Sequence, residues 1–360
     1  MDYIISNLLA SVPKGMWESI IIAIEGAFGS FALSIIILTL CIKLLMSPLD
    51  YFNRRTNKKM ADMQKRIQPQ MDAINKKYAN DPKMRNQKLG ELYQKEKINP
   101  IGSCSVMLIS MALTLTIFIT LFNGMNAMAS YKIADQYEKL QIAYVSEYAN
   151  NQIDFDQEGK TIYEICLPYI KEMNSIEDET LKNQVLETAN KNVEEVYKQT
   201  KQGFLWIDNI WLADSPLKNS IPSYKEYASV ARLNEEDKNN EDYEKVYNQI
   251  MEPLKSSQGR ENGYFILVVI CAGVSFLNQW FMIRKMKKEG NKQNSGLIML
   301  IVMPIVMMIF AFMYTTMFTL YMITGQIVSL ITLPIINLIG DKVDKRNEKK
   351  QIPTDRLRRI

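Results

Sequence analysis

Lys43 stands out first, because it lies inside a stretch that is otherwise apolar enough for a lipid bilayer. That stretch, LTLCIKLLMSPLDYF, covers residues 38–52. A charge near mid-membrane costs about 2.5–3.5 kcal/mol on the more lenient insertion scale, so it usually marks a water-filled cavity or a bound partner. Thr39 and Ser47 lie one helical turn before and after Lys43, which places the three side chains on one helix face. The pattern predicts electrostatic attraction of an anionic group, with no covalent step.

Further polar side chains lie in later apolar segments and would line a hydrated cavity with Lys43 if their helix faces converge. The candidates for this groove are Thr39, Lys43, Ser47, Ser110, Thr114, Asn278, Gln279, Tyr321 and Gln326. A second interpretation stays open. Ser and Thr hydroxyls often bond to their own helix or mediate helix packing. A lysine roughly 9 Å from the end of a span can also extend its ammonium toward the interface.

Several kinds of catalytic and metal site are excluded by composition. The chain has no histidine, which excludes Ser-His-Asp and Cys-His catalysis and most zinc sites. Its four cysteines are scattered without a CxxC pair, so they give neither a disulfide framework nor a metal knuckle. No phosphate-binding loop is present. We therefore expect no enzyme, no cofactor, no metal site and no DNA partner.

The apolar residues come in blocks of about twenty, the length that crosses roughly 30 Å of hydrocarbon. Single spans are predicted at 29–49, 100–123 and 263–283. The block 297–339 would be roughly 65 Å long as one helix, twice the bilayer core, so it must contain two spans. We place these at 297–314 and 316–339, with a turn near 313–317. The fold class predicted is an all-α membrane protein with five transmembrane helices.

The remaining segments are polar or amphipathic. Residues 1–28 include MWESIIIAIEGAF, which predicts an interfacial helix with Trp17 at headgroup level; the N-terminus lacks the basic region of a signal peptide, and we expect it to be retained. Residues 50–99 predict a helical hairpin, whose second arm begins at Asp81-Pro82. Residues 124–262 form a mostly helical insertion, residues 284–296 a loop, and residues 340–360 a basic tail.

Charge distribution predicts the orientation. Residues 50–100 carry 13 Lys and Arg against 6 Asp and Glu, residues 284–292 carry 5 against 1, and residues 341–360 carry 8 against 4. Residues 129–262 carry 15 against 25. Because basic flanks stay on the cytoplasmic side, the hairpin, the loop and the tail should be cytoplasmic and the insertion extracytoplasmic. Five spans then place the N-terminus outside and the C-terminus in the cytoplasm.

The sequence resembles the YidC/Oxa/Alb family of membrane protein insertases. The resemblance runs through residues 28–126 and resumes at FLWID (204–208), at SFLNQWFM (275–282) and across the last two spans. Its specific features are a Q-P pair with a following amphipathic helix, a D-P pair, K-x-x-x-L-Y-x-K and I-N-P-x-G-x-C. The insertion around FLWID departs from the family, with some eighty extra residues before that motif and about fifty after it.

The resemblance implies five core helices around a groove open to the cytoplasm and to lipid. The family places a positive charge, usually Arg, four residues after a Thr in the first core helix; here these are Lys43 and Thr39. Lysine keeps the charge but lacks the bidentate fork of arginine. The family's cytoplasmic hairpin helps to receive substrate, and the residues we assign to this role are Arg54, Arg55, Lys58, Lys59, Met63 and Pro69.

The function predicted is a membrane protein insertase and chaperone, which releases nascent hydrophobic segments into the bilayer without nucleotide hydrolysis. Its expected partners are nascent membrane proteins, lipid, the ribosome through the basic tail, and a Sec translocon, in the plasma membrane of a bacterium. Two alternatives remain. A transporter or channel would use the same cavity, with a route to both sides and often inverted repeats, and we see no internal repeat. A noncatalytic scaffold would tolerate leucine at Lys43.

Overall fold

The described part of the chain is entirely helical apart from loops and two isolated bridges. The computed structural model describes residues 12–95, 100–150, 153–155, 157, 160–288 and 295–356; the predicted N-terminal segment before residue 12 lies outside them. The helices are α1 (Met16–Phe28), α2 (Phe31–Lys77), α3 (Pro82–Lys95), α4 (Pro100–Ser146), α5 (Ile162–Asn174), α6 (Glu179–Thr200), α7 (Tyr224–Val230), α8 (Glu235–Lys238), α9 (Glu241–Gln258), α10 (Ile266–Lys288), α11 (Ser295–Met313) and α12 (Thr316–Arg356). The predicted all-α class is confirmed.

Within the described residues, four helices are long and apolar enough to cross a membrane. Their apolar portions are Phe31–Thr56 of α2, Leu108–Ser146 of α4, Ile266–Arg284 of α10 and Thr316–Asp344 of α12. The other apolar helix, α11, has 19 residues, of which Leu300–Met313 form a shorter apolar stretch. Between α11 and α12 the chain turns at residues 314–315, where the sequence predicts a turn.

The direction of α11 follows from where its neighbours begin. The first turns of α10 and α12 both bond to the loop 209–214, so the two helices start at the same place. Asp214 accepts hydrogen bonds from the N–H groups of Tyr264 and Leu267, at 2.9 and 2.7 Å. The Thr316 N–H donates to the carbonyl of Leu212 at 2.8 Å. Helix α11 must therefore run back along α10, and its 19 residues cover about 28 Å, close to the thickness of the hydrocarbon core.

Three helices of the described part of the chain extend well beyond the spans expected from hydropathy. Helix α12 has 41 residues and continues from residue 339 into the tail. Helix α2 has 47 residues and continues through Pro48 into the first arm of the hairpin, and α4 has 47 residues and continues past residue 123 into the insertion. Helices α2 and α4 are each about 70 Å long, more than twice the hydrocarbon core. The change from apolar to polar sequence thus changes the surroundings of the helix without ending it.

The chain divides into two compact units. The first comprises Met1–Leu38, Thr120–Leu277 and Met299–Thr324, and the second comprises Thr39–Ile119, Asn278–Ile298 and Gly325–Ile360. The first unit therefore contains the insertion together with one end of several spans. The second contains the hairpin and the residue pattern around Lys43.

The core of the first unit is built around buried tyrosines. The ring of Tyr137 on α4 lies 4.8 Å, between centroids, from Tyr227 on α7 and from Tyr247 on α9. The Tyr247 hydroxyl donates to the Pro222 carbonyl at 2.9 Å, which satisfies its polar atom in the core. Burial raises the pKa of both Tyr227 and Tyr247 well above the ordinary value. These residues join the extension of α4 to the helices of the insertion.

Helix α1 corresponds to the predicted interfacial helix and packs against α4. The Trp17 indole N–H donates to the Thr120 hydroxyl at 2.9 Å. A side chain on Gly124 would meet the Cβ of Trp17 at 3.1 Å, so glycine permits this close approach. Helix α1 ends at Gly29, whose φ of 69° is a left-handed conformation that glycine adopts without strain.

The Asp214 cap leads to a stability prediction. Asp214 is fully buried, and both carboxylate oxygens accept backbone hydrogen bonds at the start of α10. Replacing Asp214 with Ala should lower the free energy of unfolding by about 1–2 kcal/mol, because the Leu267 N–H in the first turn of α10 and the Tyr264 N–H just before the helix lose their acceptor. Thermal unfolding of the purified protein measures this. Asp214→Asn keeps one oxygen and should lose less; equal loss in both variants would contradict the capping role.

Candidate functional site

Lys43 lies in the second unit, on α2, with its ammonium directed at α12. Its Nζ donates to the Ser329 hydroxyl at 3.3 Å, and that hydroxyl donates in turn to the Gly325 carbonyl at 2.8 Å. Among the described residues, no carboxylate is within ion-pair distance of the Lys43 ammonium. The cation is therefore held by a neutral oxygen, and the carboxylate of Asp50 acts on it only from beyond ion-pair distance.

Gly325 makes room for the lysine. A side chain on Gly325 would meet the Lys43 Cε at 3.3 Å and the Thr39 Cγ2 at 3.8 Å. Thr39 itself is 1% exposed, one turn before Lys43 on the same face of α2. The glycine thus lets α12 approach this face closely, and small residues have the same role at other helix contacts within membranes. Two predicted groove residues, Thr39 and Lys43, consequently lie together against one position of α12.

Two further polar contacts join the helices of this unit. The Asn53 amide on α2 donates to the Ser110 hydroxyl on α4 at 2.6 Å, and the Asn278 amide on α10 donates to the Gln326 carbonyl on α12 at 3.1 Å. The side-chain oxygen of Gln279 is buried, and it has no hydrogen-bond partner in the described part of the chain. Polar side chains of four spans therefore meet within the second unit.

Three predicted groove residues are placed differently. The Ser47 hydroxyl donates to the Leu44 carbonyl, and the Thr114 hydroxyl to the Ser110 carbonyl, each at 2.8 Å. These hydroxyls bond within their own helices, which was the alternative that the sequence left open. Tyr321 belongs to the first unit, where its ring lies 6.2 Å from that of Phe318.

The basic residues assigned to the hairpin separate into paired and exposed ones. The Arg54 guanidinium forms an ion pair with Asp341 and lies 3.6 Å from Asp344, and the Lys58 ammonium lies 2.7 Å from Asp344. The side chain of Arg54 is only 10% exposed, and its Nε also donates to Asn337 at 3.1 Å. The bond to Asp344 raises the pKa of Lys58. We call this set, with both aspartates, the hairpin–tail clamp.

The other hairpin residues lie outside the clamp. Arg55, Lys59 and Pro69 are exposed, and Met63 is half-buried.

The two arms of the hairpin contact each other beyond these residues. Ile67 and Leu92 are buried, and the Tyr93 hydroxyl lies 3.9 Å from the Met71 sulfur. Asp81 accepts a hydrogen bond from the Met84 N–H at 3.0 Å, so the second arm begins as predicted.

The residues of α12 that contact Lys43 and Arg54 of α2 were not identified from the sequence. Gly340 has the same relation to Arg54 as Gly325 has to Lys43, because a side chain there would collide with the guanidinium. Asp341 and Asp344 were counted only as part of a basic tail. Their spacing of one helical turn was a usable signal, since it puts two carboxylates on one helix face.

The clamp can be tested by measuring the distance between α2 and α12. Spin labels at the exposed positions 59 and 342, in a background without native cysteines, would report this distance by double electron–electron resonance. Asp341→Asn combined with Asp344→Asn should broaden the distance distribution, because Arg54 and Lys58 lose both carboxylates. Asp62→Asn combined with Asp72→Asn removes as much charge from the hairpin arm of α2, outside the clamp, and should leave the distribution narrow. An unchanged distribution in the first double variant would contradict the clamp.

The chain matches the family described as 60Kd inner membrane protein over residues 23–342. It is similar to proteins named membrane protein insertase YidC. That of Fusobacterium nucleatum is 40% identical over 96 residues, 27% of this chain and 45% of the relative. That of Leptospira interrogans is 43% identical over 98 residues, 26% of this chain and 14% of the relative. That of Maricaulis maris is 41% identical over 101 residues, which are 28% of this chain and 16% of the relative.

These matches confirm the resemblance seen in the sequence. Each pairwise alignment covers less than half of the relative's own length. The family model, by contrast, extends over most of this chain, including the hairpin, the insertion and all the apolar helices.

Proposed function

The chain belongs to the 60Kd inner membrane protein family, and we propose on that premise that it is a membrane protein insertase. The observation that carries the proposal is the setting of Lys43: a cation inside a span-length apolar helix, hydrogen-bonded to a hydroxyl and without a carboxylate at ion-pair distance among the described residues. A charge left in this state attracts an anionic group. The nascent segment of a membrane protein supplies one when it leads with Asp or Glu.

The electrostatic gain can be set against the cost of moving a carboxylate into the bilayer. Two opposite charges at 4 Å gain about 4 kcal/mol at the effective dielectric constant of 20 that describes many protein sites. The cost of an acidic residue at mid-membrane is about 2.5–3.5 kcal/mol on the insertion scale. Since the two are of similar size, Lys43 would largely offset the cost of a short acidic segment part-way across. It acts as an attractor and takes no covalent part.

The hydrophobic part of the client would leave along apolar surface next to this site. Leu44 and Leu45 of α2 are 62% and 79% exposed, and Leu108 and Ile109 of α4 are 56% and 64% exposed, all in the second unit. A client helix moving from water to lipid gains roughly 25 cal/mol per Å² of apolar surface removed from water. This gain drives insertion in our proposal, so no nucleotide is hydrolysed.

The orientation and the partners form a second part of the proposal. The positive-inside tendency places the hairpin and tail in the cytoplasm, with the N-terminus outside. In the clamp, Asp341 and Asp344 are already paired with the hairpin. Residues 345–360 then carry 7 Lys and Arg against 2 Asp and Glu. Such a basic segment suits a polyanionic partner such as ribosomal RNA. A Sec translocon would receive or deliver the same clients.

A depletion–rescue experiment tests the role of Lys43. Wild type, Lys43→Arg, Lys43→Leu and Ser329→Ala would each replace the insertase of a depleted bacterial cell. Insertion of two clients is measured by protease protection, one with an acidic leading segment and one in which every Asp and Glu is replaced by Asn and Gln. Lys43→Leu should reduce insertion of the acidic client by about tenfold or more, because the offsetting charge is gone.

The controls separate charge from packing. Lys43→Arg should rescue the acidic client, and Ser329→Ala should retain most activity, because it removes a hydrogen bond but keeps the cation. The neutral client should respond little to Lys43→Leu. If leucine rescued the acidic client as well as lysine does, the charge would have no role and the scaffold function would be favoured. Loss of the ion gradient with wild type, but not with Lys43→Leu, would indicate a channel.

A further inference from the structure

A polar cleft in the first unit has no role in the insertion step proposed above. It has a volume of about 190 Å³ and lies between the extension of α4, the end of α6 and the loop after α6. Its lining combines two lysines and one aspartate with four side-chain amides, a threonine and a tryptophan: Lys132, Asp135, Gln136, Lys139, Gln199, Thr200, Gln202, Asn209 and Trp211. All of these belong to the first unit.

The charges lining the cleft do not cancel. Lys139 lies 2.9 Å from Asp135, and this pair accounts for one cation and the carboxylate. The ammonium of Lys132 lies instead over aromatic rings, 4.7 Å from the centroid of Phe31 and 5.2 Å from that of Tyr131. Within the part of the chain that the structure covers, Lys132 has neither a hydrogen-bond acceptor nor a carboxylate at ion-pair distance. The ring faces hold it in place beside the cleft, and the carboxylates of Asp135 and Glu25 act on its charge only from beyond ion-pair distance.

The neutral groups are arranged as donors and acceptors around this charge. The Trp211 indole N–H donates to the Gln202 side-chain oxygen at 3.0 Å, which leaves the amide N–H groups of Gln202 free to donate elsewhere. The Gln136 amide donates to the Thr200 hydroxyl at 3.3 Å, which leaves the Gln136 oxygen free to accept. Both a donor and an acceptor are thus offered next to a cation, as a peptide bond near an acidic side chain requires.

We propose that this cleft binds an acidic residue of a peptide segment, with its carboxylate on Lys132 and its backbone on the amides of Gln136 and Gln202. The volume suits a single glutamate-sized residue. A single unpaired ammonium matches a monoanion, and the neighbouring Asp135 disfavours a dianion such as a phosphate monoester. A lipid phosphodiester is also a monoanion, but its acyl chains need apolar surface, and the cleft is lined almost entirely by polar side chains. The site therefore favours peptide over lipid.

The binding test uses the purified full chain in detergent. The probes are the acetylated, amidated pentapeptides Gly-Gly-Glu-Gly-Gly and Gly-Gly-Gln-Gly-Gly, with glycerophosphoglycerol as a soluble phosphodiester, titrated by calorimetry. The glutamate peptide should bind at least about tenfold more tightly than the glutamine peptide, because only the first carries the charge that Lys132 recognises. Equal binding of both peptides, or no saturation by either, would overturn the proposal. Tighter binding of the phosphodiester would assign the cleft to lipid headgroups instead.

Variants locate the binding. Lys132→Gln should weaken binding of the glutamate peptide by about tenfold, and Lys132→Arg should retain it. Lys191→Gln is the matched control, because Lys191 is an exposed lysine of α6 that pairs with Glu187, away from the cleft. Gln199→Trp, at an exposed position of the lining, should block binding while leaving thermal unfolding unchanged. Full binding by Lys132→Gln and Gln199→Trp would overturn the site. None of these measurements depends on insertion activity, so this proposal and the insertase proposal can fail separately.

Discussion

The close parallel packing of α2 against α12 is the constraint on which the second unit depends. Two cations of α2 each meet α12 at a glycine: Lys43 at Gly325 and Arg54 at Gly340. Within a bilayer, apolar surface gives no preference for helix–helix over helix–lipid contact, so close backbone approach and hydrogen bonds must hold helices together. The two glycines supply the approach, and polar groups beside them, including Ser329, supply the bonds. A side chain at either glycine would push the helices apart and remove the cation from its partners on α12.

The two cations of α2 have different partners on α12. The Arg54 guanidinium donates to Asn337 and Asp341 and lies at ion-pair distance from Asp344, so its charge is neutralised. Among the described residues, Lys43 hydrogen-bonds to a hydroxyl, and Asp50 acts on it from beyond ion-pair distance. A hydroxyl dipole orients an ammonium but leaves its net charge, which the proposed attraction of an acidic client segment requires. Arg54 thus belongs to a neutralised contact between two helices, whereas the hydroxyl beside Lys43 does not neutralise its charge.

Much of the fold could be predicted from the sequence because the bilayer imposes a simple length rule on apolar segments. The turn between α11 and α12 follows from that rule, and the start of α3 follows from the capping preference of Asp81. The ends of α2 and α4 could not be predicted in this way. Helix propagation depends on backbone hydrogen bonds, which form equally in apolar and charged sequence, so the transition at Asp50 marks a change of solvent and no helix end.

Among the predicted groove residues, too, local relations could be predicted from the sequence and long-range contacts could not. Helical spacing correctly put Thr39 and Lys43 on one face, because that relation is local. The spacing also included Ser47 and Thr114, whose hydroxyls bond to carbonyls in the preceding turn of their own helices. The helix that each face meets is a long-range property, and only the structure showed that Gly325, Gly340 and the two clamp aspartates are the partners.

The insertion contacts two spans at their first turns, where backbone N–H groups have no acceptor within the helix. The loop 209–214 provides acceptors for the first N–H groups of α10 and α12, which have no partner within their own helices. Asn262 fixes this loop through hydrogen bonds to the Asn209 and Ala213 carbonyls, both at 2.9 Å. Removing the insertion would therefore uncap two spans as well as remove the cleft. A role specific to the insertion must accordingly be sought in the cleft, where side chains can be changed while the caps remain.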